Sequence, residues 1–352
     1  MLVLNVNRND VIYGVEVKPL KKNSLVTLLL FTAVFSALSI IYFGVVPLFQ
    51  QERHPVVIAV SKSPLSTPFY VAKAINAFDD TCVAPEYIAV AGGQLAFEKV
   101  MSGQADFATS SDSVIAFESL KARPFVTHAM FVQSDNDVKI ITRKVDNIRA
   151  FIDLKGKRIG VTKGTASEYI LSTLLAIEGL SLGDIVLQDY PPEHLIEAFR
   201  HNEVDAILPW EPFAFQTLQS LKSKIKIHDT KSLSTLSFNL ISQTAEQNLV
   251  EQAVCVIQGL QKAIHYITSY PEQAKSIVIT ELAVSTDFID WVWPDYIFKL
   301  SLNQSLILNI NAQANWAVAT QMTSVDVTSS AINFIDSRAL LKVDPGAVNI
   351  SR

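Results

Sequence analysis

The sequence predicts an α/β fold of two similar lobes with a hinge between them, preceded by one N-terminal transmembrane helix. Predicted strands and helices alternate beyond Pro55, and one pattern occurs twice, at Lys99–Ala108 and at Ala198–Ile207. A third observation is the uncharged apolar run Leu25–Phe49. Alternation of strand and helix favours a largely parallel sheet with helices on both faces.

Each copy of the repeated pattern predicts the same local structure. A helix ends at Gly103 or Asn202, residues that tolerate a positive φ, and the chain then enters a strand through Asp106 or Asp205. Two such halves facing each other predict a binding cleft. The strands end in residues that suit contact with a ligand, namely Thr109-Ser110-Ser111 in the first copy and Pro209-Trp210-Glu211-Pro212 in the second.

Composition excludes one class of partner. The 352 residues carry a formal net charge of -5, and 18% of them are charged. Binding of nucleic acid requires a basic surface that displaces counterions from phosphates, and this sequence has no such pattern. Roughly 300 residues follow the apolar run, which is enough for two lobes of ordinary size.

The two cysteines, Cys82 and Cys255, are far apart and match no metal or redox spacing. We interpret them as buried free thiols, and a disulfide requires an oxidising compartment. The sequence predicts neither a cofactor nor a metal ion.

The N-terminal run predicts the topology. Leu25–Phe49 is long enough to cross a bilayer core of ~30 Å as a helix. Lys18, Lys21 and Lys22 precede it, which predicts a cytoplasmic tail at 1–24, an anchor at 25–49 and an extracytoplasmic remainder. A cleaved signal peptide is the rival interpretation, although its apolar region is usually about 7 to 15 residues long. A buried core helix is the third.

The elements of the first lobe, 55–143 with 238–345, follow from local signals. The proline- and serine-rich loop Ser61–Pro68 excludes a helix before Phe69, and Gly92-Gly93 separates a strand from the next helix. The predicted elements are strand Val56–Val60, helix Phe69–Phe78, strand Glu86–Val90, helix Gln94–Ser102, strand Asp106–Thr109 and strand Lys139–Thr142.

The second lobe is predicted at 144–237. Polar stretches at Arg143–Asn147 and Thr230–Ser237 predict the two crossings between lobes, and Ala245–Arg338 is predicted to be mostly helical. The elements predicted between the crossings are strand Ile159–Val161, helix Tyr169–Glu178, and strands Ile185–Leu187, Ala206–Leu208 and Ile225–His228.

Thr165 and Glu168 have capping-box spacing at the start of the second-lobe helix. The loop Thr162–Glu168 therefore ends on a helix N-terminus, where backbone N–H groups and the helix dipole favour an anionic group. The alternative is that Thr165 only caps its helix.

Three other groups are interpreted as structural. His194 and His201 lack a third metal ligand, the C-terminal aromatic residues suit packing, and the Asp135–Asp137 segment lacks the Gly and Glu of a calcium loop. The aromatic residues are Trp291, Trp293 and Tyr296.

The order of motifs resembles the nitrate/sulfonate/taurine branch of ABC-importer substrate-binding proteins, whose relatives include pyrimidine-precursor binders. The motifs are the Ser-rich loop, Gly92-Gly93, Ser102-Gly-Gln-Ala-Asp106, Asp153-Leu-Lys-Gly-Lys-Arg-Ile-Gly-Val161, Lys163-Gly-Thr-Ala-Ser-Glu168, Glu203-Val-Asp-Ala206 and Trp210-Glu-Pro212. The resemblance implies a type II periplasmic binding protein fold that holds a ligand between lobes.

The positions that match these motifs are the implied ligand-binding residues. In open α/β sheets ligands also gather beyond the carboxyl ends of strands, which selects nearly the same positions. They are Ser63, Ser66, Thr67, Phe69, Gly92, Gly93, Ser110, Ser111, Lys163, Gly164, Thr165, Trp210 and Glu211.

The resemblance implies a monomeric bacterial extracytoplasmic binding protein without catalysis, and the predicted anchor places it at the inner membrane. It would deliver a small polar, zwitterionic or anionic solute, of sulfonate, taurine or pyrimidine-precursor type, to an ABC permease. The first alternative is a membrane-anchored ligand sensor. The second is an enzyme like a pyrimidine-precursor synthase, but such an enzyme would need a His- and Cys-rich centre, and the six histidines are scattered.

Overall fold

A computed structural model describes residues 34–35, 53–121, 123–228, 230–231, 235–323 and 330–351. The predicted cytoplasmic tail and nearly all of the predicted anchor lie outside these residues. Among the residues described, no helix combines the length and apolarity needed to cross a membrane. Arg53–Arg352 forms one compact unit.

The strands form two sheets. The first has the order β12-β11-β4-β10-β3-β1-β2 and the second has the order β7-β6-β8-β5-β9. The strands are β1 (His54–Ser61), β2 (Val83–Val90), β3 (Phe107–Ser111), β4 (Val126–Ser134), β5 (Ile140–Arg143), β6 (Arg158–Val161), β7 (Val186–Asp189), β8 (Ala206–Ile207), β9 (Ile225–His228), β10 (Leu236–Ser242), β11 (Tyr296–Asn303) and β12 (Val348–Asn349).

The α-helices between Arg53 and Arg352 surround these sheets. They are α1 (Thr67–Ala74), α2 (Gly93–Met101), α3 (Asp112–Glu118), α4 (Ala166–Ile177), α5 (Leu195–Arg200), α6 (Phe213–Leu221), α7 (Gln247–Ser269), α8 (Pro271–Leu282), α9 (Thr286–Val292), α10 (Gln304–Ala319) and α11 (Arg338–Val343). Short 3-10 turns occur at Pro64–Ser66, Lys144–Asp146, Phe151–Leu154, Leu182–Asp184, Pro192–His194, Lys222–Lys224, Trp293–Asp295, Ala331–Phe334 and Pro345–Ala347.

Both sheets are mixed, so the prediction of a largely parallel sheet was wrong. β1 pairs in parallel with β2 and β3, whereas β10 is antiparallel to β3 and β4. In the second sheet β5 is antiparallel to β8 and β9. The first strand after each crossing, β5 or β10, reverses direction, and β11, which follows helix α9, also runs antiparallel to β4.

The C-terminal region contains a strand that the prediction of mostly helical structure missed. β11 pairs antiparallel with β4. Its sequence places Tyr296, Phe298, Leu300 and Leu302 at alternate positions, which is the period of a strand. The aromatic residues at its start favoured an interpretation as helix packing.

The repeated pattern forms the same contact in each sheet. Gly103 and Asn202 have φ of 71° and 59°, as the helix-ending prediction requires. The Asp106 carboxylate accepts a hydrogen bond from Val57 N at 2.7 Å, and the Asp205 carboxylate accepts one from Arg158 N at 2.9 Å. Each aspartate therefore fixes its strand to the neighbouring parallel strand.

The first crossing lies earlier than predicted. β4 belongs to the first sheet and β5 to the second, so the chain crosses at 135–139 rather than at Arg143–Asn147. The polar stretch forms a 3-10 turn at Lys144–Asp146. A polar stretch indicates exposure to solvent. The observed crossing instead contains two buried polar residues, Asp137 and Lys139. The return crossing lies between β9 and β10.

Cys82 and Cys255 form a disulfide with their Cα atoms 5.7 Å apart. The interpretation as free thiols was therefore wrong. The bond joins the residue before β2 to helix α7, across a sequence separation of 173 residues. Sequence spacing could not reveal it, because the two elements meet only in the fold.

Candidate functional site

A cavity of about 610 Å³ is the candidate site. Its wall includes residues of first-sheet strands, of segments that follow second-sheet strands, and of the crossing at 135–139. The lining residues are Ser61, Lys62, Ser63, Leu65, Ala91, Gly92, Gly93, Gln94, Ser111, Ser113, Val114, Phe117, Asp137, Val138, Gly164, Thr165, Ala166, Pro192, Glu193, Trp210, Glu211, Pro212, Phe213, Leu236 and Phe238.

Elements of the first sheet supply small residues with exposed backbone. Gly92 has φ of 93°, a region that favours glycine. At Gly93 a Cβ atom would lie 3.1 Å from Ser111 N, so α2 and the end of β3 approach closely there. The Ser111 hydroxyl accepts a hydrogen bond from Val114 N at 3.3 Å and caps α3.

On the side of the second sheet, the predicted capping box does not form. The Thr165 hydroxyl donates to Thr162 O at 2.6 Å, and the Glu168 carboxylate accepts from Gly164 N at 2.8 Å. Thr165 still occupies the N-cap position of α4 without a side-chain cap. Glu168 bends back to the loop, because the positive φ of Gly164, 71°, turns that N–H toward it.

Three helices of nine or more residues begin at the cavity. The first residues of α2, α4 and α6 are Gly93, Ala166 and Phe213, and all three line it. At α2 and α4 the positive ends of the helix dipoles and the first-turn N–H groups favour an anion. At α6 this position is already filled, since Ala214 N donates to Trp210 O at 3.1 Å and Phe215 N donates to the Glu211 carboxylate at 3.0 Å.

The cavity also contains buried carboxyl groups. Asp137 is 5% exposed and Glu211 is 6% exposed. Burial raises the pKa of Asp137 to about 7, with a contribution from the charge of Glu211. Burial likewise raises the pKa of Glu211. The two residues are joined through their backbones, since Glu211 N donates to the backbone carbonyl of Asp137 at 3.1 Å.

Trp210 gives the wall an aromatic surface. Its ring meets that of Phe213 edge to face, with the ring centroids 6.0 Å apart. Trp210 pairs through its backbone with Val138 of the crossing. The turn continues into the cis peptide bond Glu211–Pro212. The half-buried Trp210 side chain is thus held beside the crossing, with part of its surface at the cavity.

The structure brings eight of the thirteen predicted ligand residues to the cavity wall. These are Ser63, Gly92, Gly93, Ser111, Gly164, Thr165, Trp210 and Glu211. They come from five separate segments of the chain, which the fold brings together.

The other five predicted residues, all within the described chain, lie outside the cavity wall. Ser66, Thr67 and Phe69 are buried, because the chain turns into α1 soon after Ser63. The Ser110 hydroxyl donates to Gly93 O at 3.4 Å, and the exposed Lys163 donates its backbone N–H to Asp189 at 3.0 Å. The alternation of side chains along a strand directs Ser110 away from the cavity that Ser111 contacts.

Sequence reasoning missed Asp137 and the apolar residues at the crossings. Val138, Leu236 and Phe238 line the cavity beside Asp137. The available signal was an aspartate two positions before the predicted strand Lys139–Thr142, but the segment was considered only as a calcium loop.

Comparison with known proteins gives the family. The model of the family described as "NMT1/THI5 like" matches residues 63–274, more than half of the chain. A Brucella abortus (strain 2308) protein named as a binding protein is 33% identical over 143 residues, 40% of this chain and 45% of the relative. The chain thus matches less than half the length of that relative. A Bacillus subtilis (strain 168) protein named as aliphatic sulfonates-binding is 22% identical over 231 residues, 65% of this chain and 66% of the relative.

Solved structures share the fold. The periplasmic aliphatic sulphonate binding protein SsuA from Escherichia coli aligns with a TM-score of 0.68 and 17% identity, covering 81% of this chain and 98% of that one. The alkanesulfonate-binding protein SsuA from Xanthomonas axonopodis pv. citri, bound to MOPS, aligns with a TM-score of 0.65 and 19% identity, covering 81% and 99%. The fold is therefore the α/β periplasmic binding protein fold with mixed sheets. The predicted resemblance is confirmed, and the chain belongs to the NMT1/THI5-like family.

Proposed function

We propose that this chain is an extracytoplasmic solute-binding protein that captures a small anionic or zwitterionic solute of the sulfonate class and delivers it to an ABC importer. The observation that carries the proposal is the cavity of about 610 Å³ at which three helices begin. Relatives named for binding aliphatic sulfonates support the anionic class.

The cavity residues have separate roles in this proposal. Backbone N–H groups at Gly93 and Ala166 and the hydroxyls of Ser63 and Ser111 orient the anionic group, as polar groups do in pockets of this size. Trp210 covers the apolar part of the solute. The exposed Lys62 at the cavity adds a positive charge that attracts an anion.

Capture requires that the two sheets move relative to each other about the crossing at 135–139 and the return crossing between β9 and β10. Contacts between elements of the two halves support a closed arrangement in this structure. The Tyr169 ring of α4 meets the Trp316 ring of α10 with centroids 5.6 Å apart. Hinge closure would bury the solute between these elements and exclude water from its polar groups.

The disulfide between Cys82 and Cys255 supports an extracytoplasmic location, because disulfides persist in oxidising compartments. We retain the uncharged run Leu25–Phe49 as a proposed membrane anchor. An anchor would keep the binding domain close to its permease.

Native mass spectrometry of the full chain, purified in mild detergent, tests the binding role. We expect one small molecule per chain, retained from the cell or added as ethanesulfonate, and lost from a variant in which Ala166→Phe places a large side chain at the cavity wall. Binding of no anion, or equal binding by a folded Ala166→Phe variant, would overturn the proposal. Uptake of the identified solute at low concentration, with and without the gene, then tests the importer.

A further inference from the structure

Aromatic residues line the cavity from both sides. Phe117 on α3 and Phe238 on β10 belong to the half of the first sheet, whereas Trp210 and Phe213 follow β8 of the second sheet. Leucine, valine and proline residues line the cavity as well. Such a wall suits the apolar body of a ligand, because a charged or strongly polar group placed against it would lose its hydration without gaining a partner.

Three of these rings are only half-buried, namely Phe117, Trp210 and Phe213. Each of them contacts a ring on its own side of the cavity. Trp210 meets Phe213 with ring centroids 6.0 Å apart, and Phe117 meets Trp316 of α10 with ring centroids 6.3 Å apart. Because the three residues line the cavity, part of their remaining apolar surface is available to a ligand.

The size of the cavity exceeds what a two-carbon solute fills. An apolar cavity of about 150 Å³ is enough to hold one benzene ring, and this cavity has a volume of about 610 Å³. Ethanesulfonate would leave much of the apolar wall without contact, and unfilled space beside apolar atoms forfeits dispersion energy. The space suits an anion whose body contains about one or two six-membered rings.

Polar side chains of the wall offer donors for one anionic group. The hydroxyls of Ser63 and Ser111 each accept a backbone N–H, at 3.2 and 3.3 Å, so each O–H can donate to a ligand. In contrast, the Thr165 hydroxyl donates to a backbone carbonyl at 2.6 Å, and both oxygens of the Glu211 carboxylate already accept protein N–H groups. The sequence predicted Glu211 as a ligand residue, but its carboxylate is engaged within the protein.

We propose that the solute carries an aromatic ring, which binds between the rings of Phe117 and Phe238 on one side and those of Trp210 and Phe213 on the other. The inference rests on the proposed function and changes the body of the solute from a short aliphatic chain to an arene. Its single anionic group, a sulfonate or a carboxylate, lies at the starts of α2 and α4. Aromatic rings attract each other in offset and edge-to-face arrangements beyond the effect of buried area, so an arene binds better than a saturated ring of the same size.

Calorimetric titration of the full chain with matched anions tests this. The probes are benzenesulfonate against cyclohexanesulfonate and benzoate against cyclohexanecarboxylate, with ethanesulfonate as the short aliphatic anion. We expect the arene of at least one pair to bind about five-fold more tightly than its saturated partner. Benzenesulfonate should bind about 30-fold more tightly than ethanesulfonate, because each added carbon fills apolar space.

Variants from both sides of the cavity test which rings are responsible. Phe117→Leu and Phe213→Leu keep an apolar side chain but remove the ring, and each should reduce the preference for the arene to less than about two-fold. Phe334→Leu is the matched control. Phe334 is also half-buried, but it stacks on Phe125 with ring centroids 4.7 Å apart and lies outside the cavity wall. The Phe334→Leu variant should keep the wild-type preference.

The outcomes separate this inference from the proposed function. A saturated ring or ethanesulfonate that binds the wild type as tightly as the arene would overturn the inference and leave the proposed function standing. Retention of the full preference by both Phe117→Leu and Phe213→Leu would also overturn it. Benzenesulfonamide has the same ring with a neutral head, and its binding as tightly as benzenesulfonate would overturn the anionic class instead. Binding of none of the anions would overturn both.

Discussion

Trp291 Nε1 and the Glu211 carboxylate form a hydrogen bond of 2.7 Å. Trp291 lies on α9, which packs in the core of the first sheet, whereas Glu211 follows β8 of the second. The bond therefore links the two halves beside the cavity. The Lys139 ammonium group, 5.3 Å from the centroid of the Trp291 ring, lies next to the same link.

Removal of this donor should destabilise the protein. Trp291→Phe keeps most of the ring but leaves the buried Glu211 carboxylate short of one hydrogen bond, which should cost about 1 to 3 kcal/mol. Chemical unfolding at pH 7 measures the change. Trp293→Phe is the matched control, since Trp293 packs against Phe298 with ring centroids 5.2 Å apart and lies on the same segment. Equal stability of the Trp291→Phe variant and the wild type would contradict a stabilising role for the hydrogen bond between Trp291 and Glu211.

Trp210 should contribute to binding more than to folding. Its ring is half-buried and lines the cavity. Trp210→Ala should weaken binding of an aliphatic sulfonate by about 1 to 3 kcal/mol, through lost aromatic contact. Titration calorimetry beside a melting curve of the ligand-free protein separates the two effects. A loss of roughly 3 to 5 kcal/mol in ligand-free stability, with affinity unchanged, would place Trp210 in the core instead.

The buried Asp137 should make stability depend on pH. Its pKa is raised by burial and by Glu211 from the usual 3.8 to about 7 in the folded protein. Between these two pKa values Asp137 is protonated in the folded state and ionised in the unfolded state. The free energy of unfolding therefore decreases as the pH rises from about 4 to about 7.

Asp137→Asn removes this dependence. Relative to the wild type, the variant should gain on the order of 2 to 4 kcal/mol between pH 4.5 and pH 8. Urea unfolding of both proteins at the two pH values measures the gain. A wild-type-to-variant difference that stays constant over this range would show that Asp137 is ionised throughout.

The disulfide should stabilise the fold substantially. It closes a loop across 173 residues, and a constraint of that length typically contributes about 2 to 5 kcal/mol. The double variant Cys82→Ala, Cys255→Ala should unfold at correspondingly lower denaturant concentration. The wild type under reducing conditions should match it. Two reactive thiols in the oxidised native protein, or no effect of reductant, would contradict the bond.

The repeated pattern was the part of the fold that local sequence predicted best. Gly103 and Asn202 end their helices with positive φ, and Asp106 and Asp205 join neighbouring strands. Such features depend on a few adjacent residues. The antiparallel strands β10 and β11 were not predicted as such, because their direction depends on where the chain returns to the sheet, which no local pattern specifies.

Local sequence likewise predicted only part of the candidate site. Glycine and serine at the ends of predicted strands can be recognised from local sequence. Gly93 and Ser111 were therefore predicted as ligand residues, and both line the cavity. Asp137 was missed, because its importance comes from burial beside Glu211 and Tyr296, which are 74 and 159 positions away in the sequence. Phe69 was predicted as a ligand residue, but it packs against Phe131 with ring centroids 5.2 Å apart.

The central claim is that a small anion binds in the cavity where three helices begin. A crystal structure of the full chain grown with ethanesulfonate tests it most directly. We expect the sulfonate oxygens within hydrogen-bonding distance of the first-turn N–H groups of α2 and α4. A sulfonate bound on the outer surface, or a cavity occupied by an apolar molecule instead, would contradict the account.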